Sequence, residues 1–388
     1  MKDRQVFSFI NGSAFADIAV GVLLMMGALW TSTGQAQTRA QELARLEHVI
    51  DSVSQAYTGK SNTHALTIGI IEESRTQAYS FGSIDPLDDR LATAQTVFEI
   101  GPYSQTITAA LLATYVHLGV VDLDQSIVHY LPDTLRNNTA LANITLKQLA
   151  NHTSGLPRLP DNFASADSLY ALDPEFPMHP MEAYNKEDLI EFLLHYTADV
   201  APGSDYQYSE LGYALIGEIL TGISGMSFEE LLIAHFVTPL GLENTGSIPY
   251  ADQDYAMSHV ISGADVLPST YQAFAGALGI KSSLRDMLIY MRAHFALAIT
   301  PVENALALTR LFTYYIPPDI DLGLSWHMKP MNQDLVYTYL GDARGTSTYV
   351  AFSPDSQKAV VVLSNAAESV SELGELIMEA LLNVKKER

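Results

Sequence analysis

The sequence predicts an α+β fold: an antiparallel sheet drawn from both ends of the chain, flanked by terminal helices, with a mostly helical inserted region between the two halves. Three observations point there. β-rich runs lie early, in "HALTIGII" and "TQAYSFGSI", and return late, in "GLSWHM", "DLVYTYLG", "TSTYVAFS" and "KAVVVLSN". Helical patterns fill the middle. Successive strands are joined by short polar turns, which is hairpin connectivity and not the crossover of a doubly wound parallel sheet. The expected parts are residues 37–101 and 298–388 for the sheet, 102–297 for the helical region and 1–36 for an export signal.

In chain order, the first feature is an apolar run from Ile18 to Trp30, too short to span a bilayer comfortably and followed by small residues at Gly34 and Ala36. It reads as an export signal cut near Ala36. The lesser reading is an uncleaved anchor, because Lys2 and Arg4 are offset by Asp3 and Asp17. Either reading places the globular part outside the cytoplasm, periplasmic or extracellular, with a membrane contacted only through an uncleaved N-terminal segment.

From Arg39 to Thr58 a stripe of Leu43, Leu46, Ile50, Val53 and Tyr57 predicts an amphipathic helix closed by Gly59. The first two strands then form a hairpin around Glu72-Glu73-Ser74-Arg75. "FEIGPYSQTITAALLATYVHLGVVDL" is a short extended run that turns at Gly101-Pro102 into a helix, with Ile107, Leu111, Leu112, Tyr115 and Leu118 on one face. A Pro-rich loop runs from Leu156 to about Ala183, Leu189, Phe192, Leu193 and Tyr196 mark another helix, and Ser227 with Glu230 forms a capping box. Pro354-Asp355 turns the last hairpin, and Glu372 to Val384 closes the chain as a helix.

Composition narrows the function. Acidic residues outnumber basic ones 44 to 21, and a net charge of −23 repels polyphosphate, which argues against a nucleic-acid partner. The excess acid reads as a solvated surface in preference to a cation site. The chain has no cysteine, so disulfides, thiolate nucleophiles and Cys-based metal sites are excluded. Its eleven histidines show no metal-ligand spacing, and His129 and His195 read as packing or surface. No metal and no cofactor is expected. Asn137, Asn143 and Asn151 each begin a glycosylation sequon, which matters only in a cell that glycosylates secreted proteins.

From His64 to the C-terminus the chain resembles the serine β-lactamase-like family: class C β-lactamases, D-alanyl-D-alanine carboxypeptidases and related esterases. The resemblance is carried by "TAALLATYVHLGVVDLDQSIVHYLP", "ITLKQLANHTSGLP", "PGSDYQYSELGYALIGEIL", "VTPLGLENTG", "AGALGIKSSLRDM" and "AFSPDSQKAVVVLSN", in that order. It implies a β-lactamase/transpeptidase-like fold.

It also implies three catalytic elements, and each departs from the family pattern. Where the family has Ser-x-x-Lys, the serine position is Pro102 and the lysine position is Gln105. Proline removes the hydroxyl and also the backbone N–H that forms half of the family's oxyanion hole, while remaining a favoured residue at a helix start. Ser104 is a poor substitute, since it is rotated by about 200° from that position and has Ile107 three residues on. Tyr-x-Asn reads Tyr208-Ser209-Glu210, keeping the tyrosine and replacing the amide with a carboxylate. Lys/His-Thr-Gly reads Tyr339-Leu340-Gly341, followed by Asp342, whose charge opposes an oxyanion, with Gly345 at the second glycine.

His152 in "NHTSGLP" reads as a brace for the helical region. Arg344 either neutralises Asp342, faces solvent or anchors a ligand carboxylate. The former cleft is expected at Pro102, Ser104, Gln105, Tyr208, Glu210, Tyr339, Gly341, Asp342 and Arg344, with no intact catalytic set and only Tyr208 retained. The leading expectation is therefore a pseudoenzyme that binds a small molecule, a cell-wall peptide or a protein partner. Two others stand beside it. One is a hydrolase using Tyr208, Glu210, Tyr339 and Asp342 as an acid/base cluster. The other is an interaction protein whose old cleft is packed shut.

Overall fold

Leu66–Glu72 and Lys358–Ser364 are buried along their whole length, so the strands they form must be covered on both faces. The computed structural model, which describes residues 5–9, 25–60, 65–84, 90–162, 180–259, 265–266, 268–343 and 345–385 and only the backbone up to residue 37, shows how. The strands are β1 (Gln5–Phe9), β2 (Leu66–Glu72), β3 (Arg75–Phe81), β4 (Val97–Glu99), β5 (Ser258–His259), β6 (Asp265–Val266) and β7 (Lys281–Ser283), followed by β8 (Tyr314–Ile316), β9 (Ile320–Leu322), β10 (His327–Met331), β11 (Asp334–Ala343), β12 (Thr346–Ser353) and β13 (Lys358–Ser364). A nine-stranded sheet runs in the order β1-β3-β2-β13-β12-β11-β10-β9-β8, antiparallel at every pairing. β13 lies between β2 and β12, which joins the two ends of the chain at the sheet's centre.

Alternation along each strand divides the core in two. Ile68, Ile70, Val360, Val362 and Ala351 face α1 (Met25–Thr58) and the C-terminal helix Ser371–Leu382, against Leu46, Ile50, Ile377 and Met378. Ile71, Val361, Leu363, Val350 and Phe352 face the helical region. Each such side chain, withdrawn from water, contributes about 1.5–3 kcal/mol.

The expected hairpin, the helix of residues 39–58 and the Ser227 capping box are all present. So is the turn after Pro354. Two readings change. α2 (Ser104–His117) is buried on every side from Ser104 to Tyr115 and not on one face, while Leu118 at its end is exposed. Helices pack round the whole of α2, so a one-sided stripe was the wrong template. The hairpin β8–β9 and strand β7 carry no strong alternation and were not foreseen.

Parts of the segment expected to be an export signal carry regular structure. Gln5–Phe9 pairs with β3, and α1 begins at Met25 and continues through Ala36. Ile18 to Leu24, and residues 163–179 of the Pro-rich loop, lie outside the described residues. Among the described residues no single helix is long and apolar enough to cross a membrane.

Candidate functional site

The site forms where three pieces of chain meet: the turn into α2, the loop before the helix Glu210–Ser224, and strand β11. The turn is a single 3₁₀ turn, Gly101–Tyr103, with Pro102 early in it, where the missing N–H leaves no hydrogen bond of the helix unmade. Gly101 has φ +51° and lies against β11, where a Cβ would meet the Ala343 Cβ at 2.6 Å. Gly341 approaches the same turn from the other side: its Cβ would sit 2.7 Å from the Ile100 carbonyl oxygen and 2.9 Å from the Tyr103 nitrogen. Two glycines thus let strand and helix start touch through their backbones.

Tyr103 follows, fully buried, with edge-on ring contacts to Tyr290, Trp326 and Tyr339 at centroid distances of 6.3, 5.9 and 5.9 Å. One residue further, the Ser104 hydroxyl accepts a 3.0 Å hydrogen bond from the Ile280 N–H. Ser104, expected in the former cleft, is therefore corrected to the packing behind the helix start: the helix turns its hydroxyl towards the Ile280 segment.

Gln105 is the centre of the arrangement. Its side-chain amide donates to the Tyr208 hydroxyl at 2.8 Å, and its carbonyl oxygen accepts from the Tyr339 hydroxyl at 2.7 Å. One neutral side chain thereby ties together the three positions where the family resemblance implies a lysine, a tyrosine and a second cation. Both tyrosines are held in the phenol form. Burial pushes the Tyr208 hydroxyl well above the ordinary phenol range, with the Glu210 charge adding to it, and burial does the same to Tyr339.

Tyr208 is positioned from below by His152, whose ring centroid lies 4.7 Å away. His152 has φ +58°, its Nδ1 accepts from the Ser209 N–H at 3.1 Å, and its carbonyl oxygen accepts from the Gln207 N–H at 2.7 Å. It is therefore a brace, holding the loop that carries Tyr208. Burial lowers its imidazole to about 3, so it is neutral at pH 7.

Glu210 opens its helix, with Ser209 as the N-cap accepting from the Gly212 N–H at 3.0 Å. Its carboxylate is almost wholly buried; Oε1 accepts from Arg158 at 2.9 Å, while Oε2 has no hydrogen-bond partner. Burial raises the Glu210 carboxyl above its ordinary range and Arg158 pulls it back down. The Arg158 guanidinium also lies 5.8 Å above the Tyr208 ring.

Asp342 is not part of this group. It alternates with Gly341, so its side chain is on the face of β11 opposite Tyr339, exposed, where it accepts from the Ser347 hydroxyl at 2.5 Å. The acid/base cluster of Tyr208, Glu210, Tyr339 and Asp342 is thus not assembled. Arg344 lies outside the described residues.

The participants missed from the sequence are Arg158, Tyr103, Trp326, His327 and Tyr206, the last edge-on to the His152 ring at 5.9 Å with its hydroxyl 3.4 Å from His327 Nε2. None holds a catalytic position of the three family elements, and only Arg158, beside "GLP", carries a fixed charge, which stands out in so acidic a chain. Tyr208, His327 and Tyr339 line a recess of about 310 Å³ that continues round the strand edge to Leu340 and Glu375.

The known relatives agree with this architecture. The chain is 28% identical over 315 residues to a β-lactamase of Pseudomonas fluorescens, covering 80% of each protein. It is 24% identical to the D-alanyl-D-alanine-carboxypeptidase/endopeptidase AmpH of Escherichia coli K12, covering 78% of this chain and 80% of that protein. Among solved structures, a β-lactamase/D-alanine carboxypeptidase from Pseudomonas syringae superposes with a TM-score of 0.76 at 23% identity, covering 88% of this chain and all of the other (100%). A class C β-lactamase superposes at 0.75 with 22% identity, covering 89% of this chain and 98% of the other. The Beta-lactamase family model matches residues 50–383, from the helix that backs the sheet to the last helix, and with the fold and the helix-start, tyrosine-loop and strand positions all in place the chain belongs to that family.

Proposed function

We propose that this chain is an exported, non-hydrolytic β-lactamase-related protein that uses what remains of the inherited cleft to bind a ligand. The observation that carries the reading is the Tyr208–Gln105–Tyr339 hydrogen-bonded chain. An acyl-serine enzyme needs a hydroxyl nucleophile, a base to take its proton and donors for the oxyanion. Pro102 supplies neither hydroxyl nor N–H, and an amide cannot accept a proton at neutral pH as an amine can. The centre of the old cleft is filled by Tyr103, Gln105 and Tyr339, so ligand contacts fall around Tyr208 and its recess and not at the turn.

The reading predicts that the purified chain takes no covalent label from a fluorescent penicillin and does not turn over nitrocefin. A stoichiometric adduct on a serine overturns it. One observation favours a second reading, an active hydrolase on a different mechanism: Glu210 is a buried carboxyl with raised proton affinity and an unpartnered oxygen. Turnover of short acyl esters or D-amino-acid peptides that vanishes in Glu210→Gln supports that alternative. Export rests on the apolar run and small residues before residue 37, and is tested by N-terminal sequencing of chain recovered from each cell fraction. A new N-terminus near residue 37, or an intact chain in the membrane, agrees with it; intact chain confined to the cytosol does not.

A further inference from the structure

We infer that the ligand of this site is a cation of the guanidinium type, such as an arginine side chain of a peptide, and that Arg158 occupies its place as an internal, displaceable substitute. This deepens the binding reading above and rests on it. The family resemblance implies a site that is rich in cations, and in this chain the lysine position is Gln105 and the second cation position is Tyr339, both neutral. The amide position has become Glu210. The site has therefore changed sign, and its fixed charge is a carboxylate.

That carboxylate is incompletely used. Only 3% of the Glu210 side chain is exposed, yet Oε2 meets no donor, and an ionised carboxylate has acceptor capacity for a two-pronged guanidinium contact. Arg158 meets it through one nitrogen only, at 2.9 Å. Beside the carboxylate lies the Tyr208 ring, and a carboxylate flanked by an aromatic face is the pairing that recognises a guanidinium. Glu210 is also at the first position of its helix, where the dipole favours the ionised form.

Arg158 is built as a removable occupant. Its backbone is anchored, its carbonyl accepting from the Leu211 N–H at 3.1 Å, while its side chain is 66% exposed. The loop that carries it also borders a cavity of about 470 Å³ lined by Asp161, Glu191 and Asp199, for which no ion pair is found among the described residues. These three carboxylates give that side of the loop a negative potential, which favours a cation over an anion nearby.

The test uses the purified chain and arginine amide, a guanidinium probe with no carboxylate, followed by titration calorimetry at low salt. Wild type should bind it saturably, and Arg158→Ala, freed of its internal competitor, at least tenfold more tightly. Arg158→Gln, which keeps a neutral donor near Glu210, should also bind more tightly and serves if the alanine variant does not fold. Glu210→Gln should lose at least tenfold in either background. Equal affinity in wild type, Arg158→Ala and Arg158→Gln, or equal affinity with and without Glu210, overturns the inference. So does probe binding by Arg158→Ala with none by wild type up to about 10 mM, since Arg158 would then be a fixed structural partner. A penicillin adduct would sink the non-hydrolytic reading without touching this result, and absence of probe binding would sink this inference alone.

Discussion

Two neighbouring regions handle buried charge in opposite ways. In the pair β4–β7, Lys281 sits directly opposite Glu99 and is almost wholly buried, with its ammonium donating to the Ser247 and Gly279 carbonyls at 2.8 and 2.9 Å. Burial lowers it to about 8, and Glu99 and Glu229 hold it from falling further. A few residues along the same segment, the inherited site has dispensed with ammonium groups and joined Gln105 to two tyrosines instead. A buried cation costs several kcal/mol to desolvate and persists where carboxylates and carbonyls are built round it. On the proposed non-hydrolytic reading no acyl chemistry requires one, and a neutral hydrogen-bonded chain fills the space without that cost.

The sharpest way to break the comparison is Lys281→Met. It leaves Glu99 buried with its main counter-charge gone, and should cost about 3–5 kcal/mol in chemical denaturation. Lys281→Met with Glu99→Gln should recover a substantial part, because no uncompensated charge then remains. Next comes Gln105→Leu, which removes the partner of both the Tyr208 and Tyr339 hydroxyls; at about 1–3 kcal/mol for each unmet buried group, a loss of roughly 2–6 kcal/mol is expected. A loss below about 0.5 kcal/mol would show that the two hydroxyls find other partners.

Acidification should give a smaller effect. Burial lowers His327 to about 4 and His152 to about 3, against an ordinary imidazole value near 6.5. A histidine with a depressed folded value contributes stability that is complete above the unfolded value and is lost as pH falls towards the folded one. The melting temperature should therefore drop as pH falls below about 6.5, while the buried carboxyls Glu99 and Glu210, whose values burial raises, titrate in the opposite sense and offset part of the drop. His327→Gln should flatten that slope, and an unchanged slope would remove His327 from the account. The smallest change is expected in activity. Pro102→Ser with Gln105→Lys should fold and gain little nitrocefin turnover, since Glu210 and Tyr339 still depart from the family pattern. Full family-like turnover from that double change would show that the other two elements matter less than their chemistry implies.

Much of this was legible in the chain itself. The hairpin at Glu72–Arg75, the stripe on α1 and the turn at Pro354 follow from local periodicity and turn chemistry, which a sequence displays directly. The loss of hydroxyl and N–H at Pro102 is equally a property of the residue type. Burial of α2 on every side was not legible, because residues distant in the chain supply its second coat.

Sequence alone therefore determined the scaffold and which groups are absent from the family positions. Tertiary structure decided what stands in their place. Gln105, Tyr208 and Tyr339 are separated by more than a hundred residues at each step, with |i−j| of 103 from Gln105 to Tyr208 and 234 from Gln105 to Tyr339, and their hydrogen bonds exist only once strand and helix meet. The pairing of Glu210 with Arg158, and the turning away of Ser104 and Asp342, depend likewise on which face of an element each side chain takes. Residue types state which reactions are available; geometry alone states which groups touch.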